Sequence, residues 1–299
     1  MFHFISKFYK GLRYDKWKKF NQNFAFSVFR LISYSILLIL FMILAFIFVK
    51  GIGVIDWTFI SKFPRDGMTQ GGIFPAIVGT FYLVLGSMLF AFPIGVMSGI
   101  YMNEYVKDGW FKRLVQVMTG NLAGIPSIVF GLFGMALFVN ELGFGSSILA
   151  GSLTLGLLAL PVVIRTTEEA LKAVDDTFRD ASFGLGASKW QTVYKVVLPI
   201  AMPNILTGLI LSIGRVSGET APILFTVAAY FLPHLPHSIF DQAMVLPYHL
   251  YVLCTSGTDI HASQNMAYGT ALVLVLIVLI MNLLANWLRK YLGKKVKMH

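Results

Sequence analysis

Apolar residues in this chain come in long runs separated by short polar stretches. Six runs reach the roughly 20 residues a helix needs to cross a hydrocarbon core: 31–49, 74–100, 114–139, 146–164, 203–231 and 266–288. The first, fourth and sixth carry no charged residue. Pro93 and Pro126 interrupt the second and third, as kinks that membrane helices tolerate when neighbours satisfy the freed carbonyls. The pattern predicts an all-α membrane protein with six transmembrane helices. A domain over 31–288 is flanked by a basic segment, 1–30, and a basic tail, 289–299. The first run follows about thirty residues and has no small-residue cleavage site after it, so it is expected to be a retained span.

Composition agrees. Of 299 residues, 57% are hydrophobic and 13% charged, and the mean hydropathy is +0.73; a soluble domain is about one-quarter charged. The net charge of +10 does not point to nucleic acid, because Lys and Arg sit at the termini and in the gaps between runs. With the N-terminus inside, 20 of the 24 Lys and Arg fall in cytoplasmic segments. Outside lie only Lys50, Lys62 and Arg65, and within a span only Arg215. Both termini are therefore expected in the cytoplasm, facing anionic lipid of the cell membrane. Phe4, Phe8 and Leu12, at helical spacing among basic residues, suggest a helix lying at the interface before the first span, or else a disordered basic tail. Cys254 is the only cysteine, so no intrachain disulfide can form.

The cytoplasmic loop 165–202 is too structured for a passive connector. Thr177-Phe178-Arg179-Asp180 has the form of a capping box and predicts a helix start, while Gly184 and Gly186 predict an early stop. Phe178, Ala181 and Leu185 then share an apolar face, which either packs on the chain's own helices or docks into a partner groove. Ser188 can cap a further helix to about Val197, which Pro199 and Pro203 should separate from the fifth span.

Asp180-Ala181-Ser182-Phe183-Gly184-Leu185-Gly186, followed at fixed spacing by Val196-Val197-Leu198-Pro199, resembles the EAA loop of binding-protein-dependent ABC importer permeases, with Asp180, Ser182 and Val196 as mild departures. The resemblance implies a six-helix type I ABC importer permease fold. It also implies a coupling site formed by Asp180, Ala181 and Gly186, seated in a separate ATP-hydrolysing subunit, with Phe178 and Leu185 on its apolar face. The chain has no G-x-x-x-x-G-K-[ST] phosphate loop, so it is expected not to be an enzyme and to take its ATPase from another polypeptide.

Arg215 and Glu219 interrupt the fifth run four residues apart, among Gly214, Gly218 and Pro222. Each costs about 2.5–3.5 kcal/mol on insertion scales. They either form an ion pair that fixes helix packing or line a translocation path. In a path, Arg215 offers a planar fork to phosphate oxygens, and Glu219 can accept from a protonated phosphate oxygen. Sulfate has no such proton to donate. The stretch Gly218-Glu219-Thr220-Ala221-Pro222 is similar to the fifth-span signature of A-type phosphate-transport permeases. Gly72-Ile73-Phe74-Pro75, Phe92-Pro93-Ile94-Gly95, Tyr101-Met102-Asn103-Glu104-Tyr105 and Gly124-Ile125-Pro126-Ser127 also resemble that family. The resemblance, from about residue 70 onward, implies Arg215 and Glu219 as path residues. Arg165, at the cytoplasmic end of the fourth span, is either a further path residue or a positive-inside anchor.

The implied partners are a homologous second permease, two copies of an ABC ATPase, an external phosphate-binding protein, phosphate and membrane lipid, with no cofactor. Exterior residues Asp56, Trp57, Lys62 and Arg65 and the loop 232–265 are the implied contact with the binding protein. That loop's apolar stretches are too short to span and are expected at the interface. His234 and His237, between Pro233 and Pro236, lack the cysteines or carboxylates of a metal site. Two other readings remain: a permease for another oxyanion or small solute on the same scaffold, and a proton-coupled secondary transporter, which would not need the cytoplasmic loop.

Overall fold

The computed structural model describes the backbone of residues 2–232, 234–256 and 260–297. It divides into two units, 1–50 and 51–299. The first is the body of one helix, α1 (Phe2–Ile52), whose stretch from Asn21 is long and apolar enough to span. The side chains of Phe4, Phe8 and Leu12 lie outside the described residues.

The second unit begins with α2 (Trp57–Ser61) and an antiparallel hairpin, β1 (Pro64–Arg65) and β2 (Gln70–Gly71). Then come α3 (Phe74–Ile100), ending in a π turn over Tyr101–Tyr105, and α4 (Trp110–Leu122). α5 (Ser127–Gly134) widens into a π turn over Met135–Glu141, and α6 (Ile148–Lys172) follows. The cytoplasmic loop forms α7 (Asp176–Gly184) and α8 (Lys189–Thr192), which passes through a π turn into α9 (Leu198–Gly218). α10 (Ala221–Leu224), α11 (Leu246–Thr255) and α12 (Ile260–Lys297) complete the chain.

Small residues set the central seam. A methyl group placed on Gly86 would meet Ser152, on Gly95 Val163, and on Gly99 Thr167. These pairs advance together along both sequences, so α3 and α6 run parallel and their backbones approach closely where glycine stands. Two parallel spans require one return crossing between them, and α4 and α5 supply it. Gln116 meets Glu168, Gly120 meets Arg165 and Gly134 meets Thr154, so the pair ascends along α6. It is a broken span, bent by 97° between Leu122 and Ser127. The third run was expected to kink at Pro126. Pro126 instead stands outside both helices as the N-cap of α5, and the chain turns there.

The fifth span also departs from its apolar run. Pro199 was expected to separate the Ser188 helix from it. The helix instead continues from Lys189 to Gly218, with the π turn at Val193–Val197 absorbing the backbone bond that Pro199 cannot make. At the other end α9 stops at Gly218, short of Phe231. Pro222 has no N–H for the carbonyl four residues back, and its ring crowds that carbonyl. The residues after α10 instead form an exterior cap, with a parallel bridge between Ala228 and Ala243.

The cap encloses a core of Phe59, Met68, Ile73, Ala76, Met244, Leu246, Val252 and Leu253. From the short apolar stretches expected at the interface, Met244, Val252 and Leu253 enter this core, while Tyr251 and Cys254 stay exposed. Thr80 accepts from Leu246 N–H at 2.9 Å, and a methyl group on neighbouring Gly79 would collide with the Met244 carbonyl. Gly79→Ala is expected to destabilise the protein by about 2 kcal/mol, read as a lowered unfolding midpoint in detergent.

Candidate functional site

Arg215 is in the last turn of α9, and Glu219 is its C-cap residue, already extended at φ −71° and ψ 129°. The two groups thus meet across a helix end within the fifth apolar run. Arg215 Nε lies 3.5 Å from Glu219 Oε1, with the Arg side chain 34% exposed and the Glu side chain 16%. Among the described residues this single long contact is the only polar partner of either side chain. Such a pair is loosely held, and most of the guanidinium fork stays open to another acceptor.

The broken third span packs against this break. Gly131 of α5 lies under Pro222, Ala221 and the Phe225 ring of the α10 region, so the two discontinuous spans meet at their interruptions. α5 itself starts with no side-chain cap on its first N–H groups. Discontinuous helices of this kind are how membrane transporters place polar backbone at mid-depth.

Arg165 is not part of this cluster. Gly208 of α9 packs on Thr166, and the helices run antiparallel, so Arg215 is about 10 Å nearer the exterior than Arg165. Arg165 Nη2 donates to the Gln116 carbonyl at 3.3 Å and covers Gly120. Gln116 Nε2 in turn donates to the buried Glu168 carboxylate at 3.0 Å. Together Arg165 and Glu168 brace the lower half of the broken span against α6. The roles of Gln116 and Glu168 were not read from the sequence. A carboxylate one turn from Arg165, on the same helix face, was the available signal.

On the cytoplasmic side, Asp175 caps α7. Its carboxylate accepts from Thr177 N–H at 2.9 Å and from the Thr177 hydroxyl at 2.8 Å, and these bonds lower its pKa. The capping box expected at Thr177 does not form, because Thr177 is itself inside the first turn. A true capping box joins Ser188 and Gln191 at α8. α7 ends in a Schellman turn: Ala187 N–H donates to Ser182 O and Gly186 N–H to Phe183 O, with Gly186 at φ 81°. Phe178, Asp180, Ala181 and Leu185 are all exposed, Leu185 at 91%. The apolar face of α7 is therefore left largely open, with Phe178 half covered and Leu185 almost free.

In the exterior cap, His234 and His237 stack at 6.3 Å, and no cluster of three metal-ligating side chains occurs among the described residues. His249 of α11, outside the spanning helices, is 2% exposed, and neither ring nitrogen has a partner among the described residues. Burial lowers its pKa from 6.5 to about 4. The folded state holds this imidazole neutral, whereas the unfolded chain protonates it below 6.5. Stability is thus full above that pH and falls by about 1.4 kcal/mol per unit as acid approaches the folded value. Thermal unfolding between pH 7.5 and 5 should show this slope. His249→Leu should flatten it, and an unchanged slope in the variant would assign the loss to other groups.

A bundle with two interrupted spans, a charged pair at one interruption and an exposed, capped cytoplasmic helix defines a membrane transport permease. The chain belongs to the binding-protein-dependent transport system inner membrane components, whose family model matches residues 91–298. It is an ABC importer permease subunit of the inner membrane, with no catalytic activity of its own. It is 35% identical over 291 residues to the probable ABC transporter permease protein YqgI of Bacillus subtilis (strain 168), covering 93% of this chain and 98% of that one. To the phosphate transport system permease protein PstA of Mycobacterium leprae (strain TN) it is 40% identical over 228 residues, 76% of this chain and 73% of that one. A chain of the bacterial alginate ABC transporter, solved with its alginate-bound periplasmic protein, superposes with a TM-score of 0.67 at 16% identity. That match covers 93% of this chain and 98% of the other, and shows the shared fold.

Proposed function

We propose that this permease carries inorganic phosphate inward. In this reading it pairs with a second, homologous permease, and each takes an ABC ATPase on its cytoplasmic loop while an external phosphate-binding protein delivers the substrate. The observation that carries the reading is the Arg215–Glu219 pair at the break in α9. An intramembrane pair kept only for packing would close its hydrogen bonds; this one leaves the fork largely unused. The similarity to phosphate permeases over three-quarters of the chain supports the same substrate. Arg165 acts in this reading as the brace of the lower path wall.

The exposed face of Phe178, Asp180, Ala181 and Leu185, ended at Gly186, is the proposed seat of the ATPase. Phosphate uptake into vesicles tests the whole. It should require ATP and survive collapse of the proton gradient; the reverse pattern would make the chain a secondary transporter. Another oxyanion is the second reading, because the relative that matches over nearly its full length is named without a substrate. Competition by excess sulfate, if it matched competition by phosphate, would favour it.

A further inference from the structure

α7 is attached to its own chain in an unusual way. Ser182 is its only buried residue, and its two phenylalanines, Phe178 and Phe183, are only half covered. Its attachments are polar. Ser182 and Thr192 share a hydrogen bond of 2.9 Å, which ties α7 to the helix leading into α9. Arg179 makes the others: Nη1 donates to the Val174 carbonyl at 2.8 Å and to Asp176 Oδ1 at 3.1 Å, and Nη2 donates to the Leu171 carbonyl at 2.9 Å and to Glu104 Oε1 at 2.8 Å.

Glu104 belongs to the π turn that ends α3, 75 positions away in sequence. Its side chain is 7% exposed, that of Arg179 14%. Asn103 also donates to Glu104 Oε1, at 2.9 Å, which fixes the carboxylate from the α3 side. A second link reaches the same π turn: Lys189 Nζ of α8 lies 5.2 Å from the centre of the Tyr105 ring. Both short helices of the cytoplasmic loop therefore touch Tyr101–Tyr105. A π turn is a wide, poorly packed turn and a natural place for a span to change register.

We propose that the Arg179–Glu104 ion pair is the strut that delivers displacement of α7 to the cytoplasmic end of α3, with Lys189 on Tyr105 as its second point of support. Arg179 and Glu104 are positioning residues and touch no substrate. Ser182 carries the same displacement to α9, so one movement of α7 reaches two spans by separate polar links. This inference rests on α7 being the ATPase seat. That premise is checked first: normal recovery of the ATPase with Leu185→Asp would overturn the seat and the strut with it, whereas absence of ATP-dependent phosphate uptake by the unaltered chain would overturn the substrate.

The experiment uses the complete transporter in vesicles and measures phosphate taken up per ATP hydrolysed. Glu104→Gln keeps the side chain's shape and one hydrogen bond but removes the charge. The ratio is expected to fall about tenfold, a typical coupling magnitude, while ATP hydrolysis, subunit yield and unfolding temperature stay near those of the unaltered protein. A merely structural bond predicts a lowered unfolding temperature, with uptake and hydrolysis falling together and their ratio unchanged; that result would overturn the proposal. Should Glu104→Gln fail to accumulate, Glu104→Asp retains the charge and shortens the reach, and the same ratio decides. Arg179→Lys should reproduce the drop, because an ammonium cannot span Glu104 and both carbonyls at once.

Discussion

Arg215→Ala is expected to lower ATP-dependent phosphate uptake by about 100-fold, since it removes the proposed charge-assisted contact between the guanidinium fork and a phosphate oxygen, worth about 3 kcal/mol. The geometry separates a path role from a packing role. Arg215 is one-third exposed and makes a single 3.5 Å contact, so its loss leaves little of the α9 interior unfilled. The α9 surface is otherwise held by Gly208 on Thr166 and by Arg289, which donates to Thr207 at 3.1 Å from α12. Assembly of the complex, followed by co-purification, should survive. Loss of the complex along with uptake would show that the pair is structural. Glu219→Gln probes the partner group. Its carboxylate repels an anion that has no proton to share, so the variant should admit sulfate while still moving phosphate. A variant that stays closed to sulfate would remove Glu219 from selection.

Leu185→Asp should reduce binding of the ATPase about 30-fold or more, because a carboxylate buried without a partner against an apolar groove costs at least about 2 kcal/mol. Leu185 is 91% exposed in the isolated chain, so the substitution leaves the permease's own fold untouched. Pull-down of the ATPase with an otherwise normally folded permease is the measurement. Asp180→Lys, one turn away on an exposed position, should act in the same direction by reversing a charge. Normal recovery of the ATPase with both variants would exclude α7 as its seat.

The parts of this molecule that depend on local pattern were legible in the sequence. Long apolar runs announced the spans, the Lys and Arg distribution oriented them, and Gly186 announced the end of α7. What the runs could not announce was continuity. The stretch 114–139 is apolar enough to read as one helix, yet it turns through 97° at the break that ends on Pro126. The stretch 203–231 is equally apolar, yet Pro222 ends the helix and the remainder folds into the exterior cap. Hydropathy reports the solvent a segment prefers and is blind to its direction. Proline marks where a helix can fail, but whether it bends or stops depends on the neighbours that receive the freed carbonyls.

The site was legible to the same extent. Arg215 and Glu219 stand out as charges in an apolar run. Arg165 was a candidate only at the cytoplasmic end of the fourth run, and the packing of Gly208 on Thr166, with the Arg165 bond to the Gln116 carbonyl, separates it from them. The Arg179–Glu104 bond joins positions 75 apart, and no short motif encodes such a contact. Asp175 took the cap expected of Thr177 because its carboxylate accepts from the N–H of Thr177 itself, so the helix begins before the residue that the Thr177-to-Asp180 pattern marked.

The way α7 is anchored bears on how reversible its motion can be. A helix glued down by buried side chains would expose oily surface whenever it lifted, and water would resist each departure and hasten each return. α7 exchanges hydrogen bonds instead, and water can take over those bonds during a swing. In the proposed cycle α7 would therefore lift and return while exposing little new apolar surface.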